Sequence, residues 1–524
     1  MRLSSFQSYL AAGVLLAFMA VLSGGAAKKE SITFDEMAHT GAGVSYWQKL
    51  DLRLNEEHPP LSKLIAGLPL ALRGVHADYS HISWTFSGSQ FFHQYLAEWV
   101  FGYWFLMRWN DPPSTIWWAR IPMLGVTLLF GFVLYWIGKR LGGDWGGLLC
   151  LACFVATPAF LAFGPLVITD IVIALFWVLT VWQFPKLWQE QGRATVIPFG
   201  LTFAGALLSK FSSGLLFFVF PAIALSLRIW PLPGQPSEKV ELRKWRRRAW
   251  WNFFKGTCWA ALFVYLVYLI FSWNEPTSSF NMIPHFPASP VLRRLLMPPW
   301  TYFRGLIGFA VSAGSRPTYL LGHSYPHGVW FYFPVIFALK SQLAFLLLLG
   351  VAAGTASMAK RKGADRATSL VSKGMELPWR CIWISLVVYV IACMLNRLDI
   401  SIRHFTIAIA LIILLLAPLP QALRSLRVSA PRISMFGTLA TVLLVLVGLT
   451  AAVRSYPFYM SYINSLGMGK PGYMLVNDSN LDWDQSFPEV EAFARQNKLT
   501  SLLFDQYGVG EEIYVPQAQP WNCQ

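Results

Sequence analysis

Apolar residues in this chain arrive in long runs and do not alternate with polar ones. Most runs are about 17–25 residues, the length of a helix that crosses a bilayer. Strands and amphipathic helices would instead show polar positions every second to fourth residue. Eleven runs are predicted as spans, near 7–27, 115–138, 146–164, 166–185, 195–209, 211–229, 253–272, 329–353, 380–395, 404–420 and 433–453. The expected fold is an all-α polytopic membrane protein with about eleven transmembrane helices. Residues 1–453 read as the membrane domain, interrupted by long exterior loops at 28–114 and 273–328, and 454–524 as a small C-terminal exterior α/β domain. The stretch 91–109, rich in Trp, Tyr and Phe, reads as a helix lying at the outer interface. The run 7–27 also fits a signal peptide, because Ala26-Ala27 precedes charged residues; the remaining topology is the same either way.

Composition excludes the soluble alternatives. The chain is 55% hydrophobic and 13% charged, whereas a soluble domain carries about a quarter charged residues. A net charge of +16 on a soluble protein would raise the question of nucleic acid, but its distribution gives another reason. With a cytoplasmic N-terminus and alternating gaps, the inner side receives 22 of the 42 Lys/Arg and 6 of the 26 Asp/Glu. The whole basic excess is therefore on one face, as the positive-inside rule requires, with clusters at 239–248 and 360–366. The partner of that charge is membrane lipid; no nucleic acid is expected. Five of the six cysteines lie in or beside spans, so Cys150 and Cys153 read as packing despite their CxxC spacing.

Candidate chemistry gathers on the outer side. Thr33-Phe34-Asp35-Glu36-Met37-Ala38-His39 follows the first span. Two adjacent carboxylates there fit a general base with its neighbour holding a partner, or a pair favoured by a helix N-terminus. A zinc protease is excluded, since its motif needs His where Asp35 stands. Glu57-His58-Pro59-Pro60 would present Glu57 and His58 at the start of a helix. Arg120 lies inside a span, either as a functional cation or snorkelling outward. Thr169-Asp170, Ser209-Lys210, the run from Arg316 through Tyr319 to His323, and Arg403-His404 stand at or near outer ends of spans. Carboxylates, cations and a membrane wall suit sugar transfer from a lipid-linked donor. A carboxylate accepts the proton of the attacking hydroxyl, and Arg and Lys stabilise the departing phosphate.

At these residues the chain resembles the bacterial relatives of the dolichyl-phosphate-mannose protein mannosyltransferases, C-type membrane glycosyltransferases, with the lipid A aminoarabinose transferases as distant kin. The resemblance rests on Phe34-Asp35-Glu36-x-x-His39, Glu57-His58-Pro59-Pro60-Leu61-x-Lys63, Thr169-Asp170, Ser209-Lys210-Phe211, Tyr332-Phe333-Pro334 with Lys340, and Ile402-Arg403-His404. It continues through Tyr456-Pro457-x-Tyr459, Tyr462-Ile463-Asn464 and Asn477-Asp478-Ser479-Asn480-Leu481-Asp482-Trp483. It implies a C-type glycosyltransferase fold and an inverting transfer from a polyprenyl-phosphate sugar to a protein or glycolipid acceptor, with protein O-glycosylation first. It implies Asp35 and Glu36 at the catalytic centre, Arg120, Lys210 and Arg403 at the donor phosphate, and His39, Glu57, His58, Asp170, Tyr319 and His404 around the substrates. A bacterial inner membrane is the implied location, with the active site and C-terminus periplasmic. No cofactor or metal is expected, because the exterior segments lack a His/Cys set with ligand spacing.

Two departures stand out. Asp484-Gln485-Ser486 replaces the familiar Gly-Gln-Asp, and the exterior domain is expected to be shortened. The acidic cluster 478–484 reads either as a cation site or as a hydrogen-bonded turn. Should a reporter be fused after Gln524, it is expected to be active only outside the cytoplasm; cytoplasmic activity would overturn the count of spans.

Overall fold

The computed structural model describes residues 3–85, 94–189, 193–232, 235–277, 289–312, 314, 316–361, 371, 374–504 and 510–521. Part of the aromatic stretch (91–93) and most of the second basic cluster (362–366) lie outside the described residues. The first span is α1 (Ser5–Lys29), capped by the Ser4 side chain on the Gln7 N–H. The segment after α1 is largely helical: α2 (Phe34–Lys49), α3 (Leu61–Leu72) and α4 (Gln94–Tyr103). The aromatic stretch is therefore helical from residue 94, and ends in a π-turn over Trp104–Arg108.

The expected span 115–138 and most of 146–164 are folded within one helical stretch, α5 (Pro112–Ala156), which reverses at Gly143. Gly143 has φ +72° and ψ −174°, open to glycine and strained for other residues. Because of the reversal, Phe130 packs edge-on against Phe154, with ring centroids 5.4 Å apart. Beyond the short helix Pro158–Phe163 come α6 (Asp170–Gln183), α7 (Arg193–Ser209), α8 (Leu216–Ile229) and α9 (Lys239–Phe271). The segment after α9 holds α10 (Pro290–Ser312) and an antiparallel hairpin, β1 (Thr318–Leu320) with β2 (His323–Tyr325). Helices α11 (Tyr332–Lys340), α12 (Leu343–Arg361), α13 (Glu376–Leu395), α14 (Thr406–Leu415), α15 (Leu419–Ser429) and α16 (Pro431–Arg454) complete the membrane part.

Among the described residues nine helices are long and apolar enough to cross a membrane. The α5 stretch is one of the nine and reverses on itself, and the apolar Ala194–Ser209 is shorter. Counting α5 as two passes and adding that shorter helix gives the eleven expected. The C-terminal segment contains α17 (Phe487–Gln496) and a parallel pair, β3 (Leu502–Phe504) with β4 (Ala518–Pro520).

Interiors differ from lipid-facing surfaces as burial requires. Helix α6 is hidden over most of its length, whereas α16 exposes Phe436, Leu439, Leu443 and Val447, an apolar stripe suited to acyl chains. Helices α2 and α3 cross closely at Gly43 and Gly67: a Cβ on Gly43 would stand 2.3 Å from the Lys63 carbonyl oxygen. That approach brings α2, with the acidic pair at its start, onto the helix that follows Pro59-Pro60.

Candidate active site

The two neighbouring carboxylates are turned in different directions by helix geometry. Asp35 and Glu36 are consecutive in the first turn of α2, so their side chains leave the axis about 100° apart. Glu36 is fully buried. It reaches back to Thr33, whose N–H and Oγ1 both donate to Glu36 Oε2 at 3.0 and 2.9 Å, the Thr-x-x-Glu arrangement of a capping box. Arg120 grips the same carboxylate with two prongs, Nε to Oε1 at 2.9 Å and Nη2 to Oε2 at 2.5 Å. The Val167 N–H adds a bond to Oε1 at 3.0 Å.

Arg120 has nothing left for a ligand. Its Nη1 donates to the Ala27 and Glu30 carbonyls at 2.5 and 3.1 Å, and Nη2 also to Ser31 at 2.8 Å. With the two bonds to Glu36, all five guanidinium hydrogens are used, and the side chain is fully buried. The expectations that Arg120 holds the donor phosphate and that Glu36 stands at the catalytic centre are corrected by this geometry. Neither residue lines the cavity. The partner weighed for Arg120 on charge alone, Asp170, belongs to Lys210.

Asp35 faces a cavity of about 1500 Å³. Arg403 Nη1 donates to its Oδ2 at 2.7 Å; among the described residues Oδ1 has no donor. The Arg403 guanidinium lies 3.9 Å from the centroid of the Trp483 ring, a cation–π contact that fixes its plane. Lys210 Nζ donates to Asp170 Oδ1 at 2.7 Å, and both residues line the cavity with His404 and Arg316. Ile173, Leu215, Ala392, Cys393 and Ile407, from four different helical segments, give the cavity an apolar stretch of wall; Trp99 and Tyr103 from α4, with Asp482 and Trp483 from the C-terminal segment, give it an aromatic and acidic one.

His39, one turn after Asp35 in α2, lines the cavity with Glu57 and His58. Lys63 sets the loop that carries the latter pair: its Nζ donates to Asn55 O, Asn55 Oδ1 and His58 O at 2.5, 2.5 and 2.6 Å. Burial holds the His39 imidazole well below its ordinary range, and the Lys63 charge adds to the effect. For His58 burial again leads, followed by His39 and Lys210. Burial also raises the Asp482 carboxyl.

Tyr319 is not at the cavity. It lies half-buried in β1, its hydroxyl 3.4 Å from the Met474 carbonyl, and is not among the residues lining the cavity. The hairpin instead supports the C-terminal segment, through Leu321 N–H to Leu475 O at 2.8 Å. Lys340 supports it from below, donating to Met460 O and Asn480 O at 2.5 Å each. The acidic cluster forms a turn: Asp478 O accepts the Leu481 and Asp482 N–H groups. Sequence reasoning did not assign the cavity positions of Trp99, Phe309, Arg316, Asp482 and Trp483; the aromatic richness of α4 was the available signal.

Removing one partner of a buried ion pair costs roughly 3–5 kcal/mol, because a bare charge remains. Arg120→Ala and Glu36→Gln are therefore expected to lower the yield and melting temperature of detergent-purified protein. Glu36→Met with Arg120→Met is expected to recover part of the loss. Arg120→Ala with unchanged melting behaviour would remove the pair from its structural role.

Residues 98–231 match the family model described as dolichyl-phosphate-mannose-protein mannosyltransferase. No curated protein matches the chain. Among solved structures it is similar to the S. cerevisiae protein O-mannosyltransferase Pmt1-Pmt2 complex bound to the sugar donor, at 18% identity and TM-score 0.35, over 52% of this chain and 34% of that one. It is also similar to ArnT from Cupriavidus metallidurans bound to undecaprenyl phosphate, at 14% identity and TM-score 0.49, over 98% of this chain and 85% of that one. A third is the Archaeoglobus fulgidus oligosaccharyltransferase AglB with an inhibitory peptide and a dolichol-phosphate, at 11% identity and TM-score 0.48, over 94% and 59% of the two chains. This chain thus spans about a third of the yeast chain's length. The family match falls on the segment that holds Asp170 and Lys210.

Proposed function

We propose that the chain transfers a single sugar from a polyprenyl-phosphate donor to a hydroxyl group on the outer face of a bacterial inner membrane, and that the acceptor is a protein Ser or Thr. The observation that carries this reading is that one cavity joins an apolar stretch of wall, a group of cations and carboxylates, and aromatic and acidic side chains. An isoprenoid tail suits the apolar stretch, a phosphate the cations, and a polar acceptor the aromatic and acidic side. The family description, a dolichyl-phosphate-mannose-protein mannosyltransferase, supports both the donor class and the protein acceptor. In this reading residues 1–453 are the catalytic membrane domain and 454–524 an exterior domain that closes the cavity with Trp483.

Asp35 acts as the base. The acceptor oxygen attacks the anomeric carbon and its proton passes to Asp35, while the bond from that carbon to the phosphate oxygen breaks. The polyprenyl phosphate leaves with the electron pair, and attack opposite the leaving group inverts the anomeric centre. Arg403 holds Oδ2 of Asp35 and leaves Oδ1 to meet the hydroxyl. Lys210 and Arg403 stabilise the charge gathering on phosphate; Asp170 holds Lys210 in place between turnovers. His404 lines the same cavity. A phosphate departs as an anion near neutral pH, so the transfer requires no separate acid, and no cofactor is invoked.

Asp35→Asn keeps size and hydrogen-bonding capacity but cannot take a proton. Turnover of a polyprenyl-phosphate sugar is expected to fall by about 10²–10⁴, with little change in affinity for polyprenyl phosphate. Wild-type turnover in the Asn variant would show that Asp35 is not the base.

A further inference from the structure

Arg403 holds Asp35, and its own place is set by a turn of the C-terminal segment. The Asn480 side chain is fully buried and does not line the cavity. It lies against residues 400–402, directly ahead of Arg403. Its Oδ1 accepts the Ile402 N–H at 2.9 Å, and its Nδ2 donates to the Ile400 carbonyl at 3.1 Å. Nδ2 donates also to the Tyr332 hydroxyl at 2.8 Å and to the Asn477 carbonyl at 3.3 Å. One carboxamide therefore ties its own turn to the start of α11 and to the approach to Arg403. Only a group with both donor and acceptor can do this.

Arg403 needs such support because it stands in a very short element. Residues Ile402–Phe405 form a single 3-10 turn, capped by Ser401, whose Oγ accepts the Arg403 N–H at 3.2 Å. Hydrogen bonds in 3-10 turns are poorer than those of an α-helix, so the orientation of this turn depends on what grips its entrance. Asn480 grips it on both sides of Ser401. Three residues further on, the Trp483 ring lies 3.9 Å from the Arg403 guanidinium. The same turn thus fixes Arg403 twice, at the backbone and at the side chain. Lys340 Nζ, donating to Asn480 O at 2.5 Å, fixes the turn itself. Asn480 has no route to a ligand except through Arg403 and Trp483.

We propose that Asn480 is a positioning residue for Arg403, and that through it the C-terminal segment serves the binding of the donor phosphate. The proposal rests on the lipid-donor reading above and adds to it the residue that sets one of the two phosphate cations.

The test is a double-mutant cycle on the full-length purified protein, with polyprenyl phosphate as the probe and melting temperature recorded for every variant. Asn480→Ala is expected to weaken polyprenyl phosphate binding by about tenfold, the worth of one bond to a charged group. In an Arg403→Gln background the same substitution is expected to change affinity by less than about twofold, because residues that act through one another are not additive. A residue that only stabilised the fold would lower the melting temperature in both backgrounds and would not distinguish them in binding. If Asn480→Ala does not fold, Tyr332→Phe removes one partner of the carboxamide, and a smaller loss is expected that also disappears with Arg403→Gln. Equal weakening in the two backgrounds would overturn the proposal, as would unchanged affinity in a folded Asn480→Ala or, in its place, Tyr332→Phe. Wild-type affinity in Arg403→Gln alone would overturn it too, and would leave the lipid-donor reading standing on Lys210. Failure of the wild type to bind polyprenyl phosphate would overturn both.

Discussion

The ion pair between Glu36 and Arg120 is the constraint on which the rest of the site depends. It joins α2 to the long apolar stretch α5 across 84 residues of sequence, with both side chains fully buried. Charges so placed are tolerated only when their hydrogen-bonding capacity is used, and here Arg120 spends all five hydrogens on Glu36 and three carbonyls. This fixes the rotation of α2 about its axis. Once Glu36 points inward, the residue before it and the residue three after it must face the cavity. Asp35 and His39 are the residues so placed.

Identical chemistry is thus divided by environment. Glu36 accepts from Arg120, Thr33 and Val167 and is closed to ligands; Asp35 keeps one oxygen on Arg403 and is partly open. The cavity pairs, Arg403 with Asp35 and Lys210 with Asp170, keep some exposure, whereas the Glu36–Arg120 pair has none. Trp483 completes this division, since its ring holds the Arg403 guanidinium while its carbonyl accepts the Phe34 N–H at 3.3 Å. The C-terminal exterior segment therefore steadies the same turn of α2 that the ion pair anchors from below.

The spans were legible because bilayer thickness leaves a length signature in sequence, and the reversal at Gly143 falls in the gap between two expected runs. Lys210, Arg403, Asp170 and His404 stood out as ionisable residues beside apolar runs, and they line one cavity. Arg120 was misjudged because the cost of burying it reveals only that a counter-charge exists, and 84 residues separate it from the one it has. Thr33-Phe34-Asp35-Glu36 did carry the missing signal: read as a capping box, it places Glu36 against the backbone and leaves Asp35 the free carboxylate. Tyr319 and the cavity roles of Trp99, Arg316 and Trp483 depend on how exterior loops fold back over the membrane part, which no local period encodes.

The most direct test is an experimental structure of the full chain with polyprenyl phosphate bound. The account predicts phosphate within hydrogen-bonding distance of Lys210 or Arg403, Asp35 facing the space where the anomeric carbon would lie, and Arg120 still on Glu36. Phosphate density against Arg120, with Glu36 released, would contradict it.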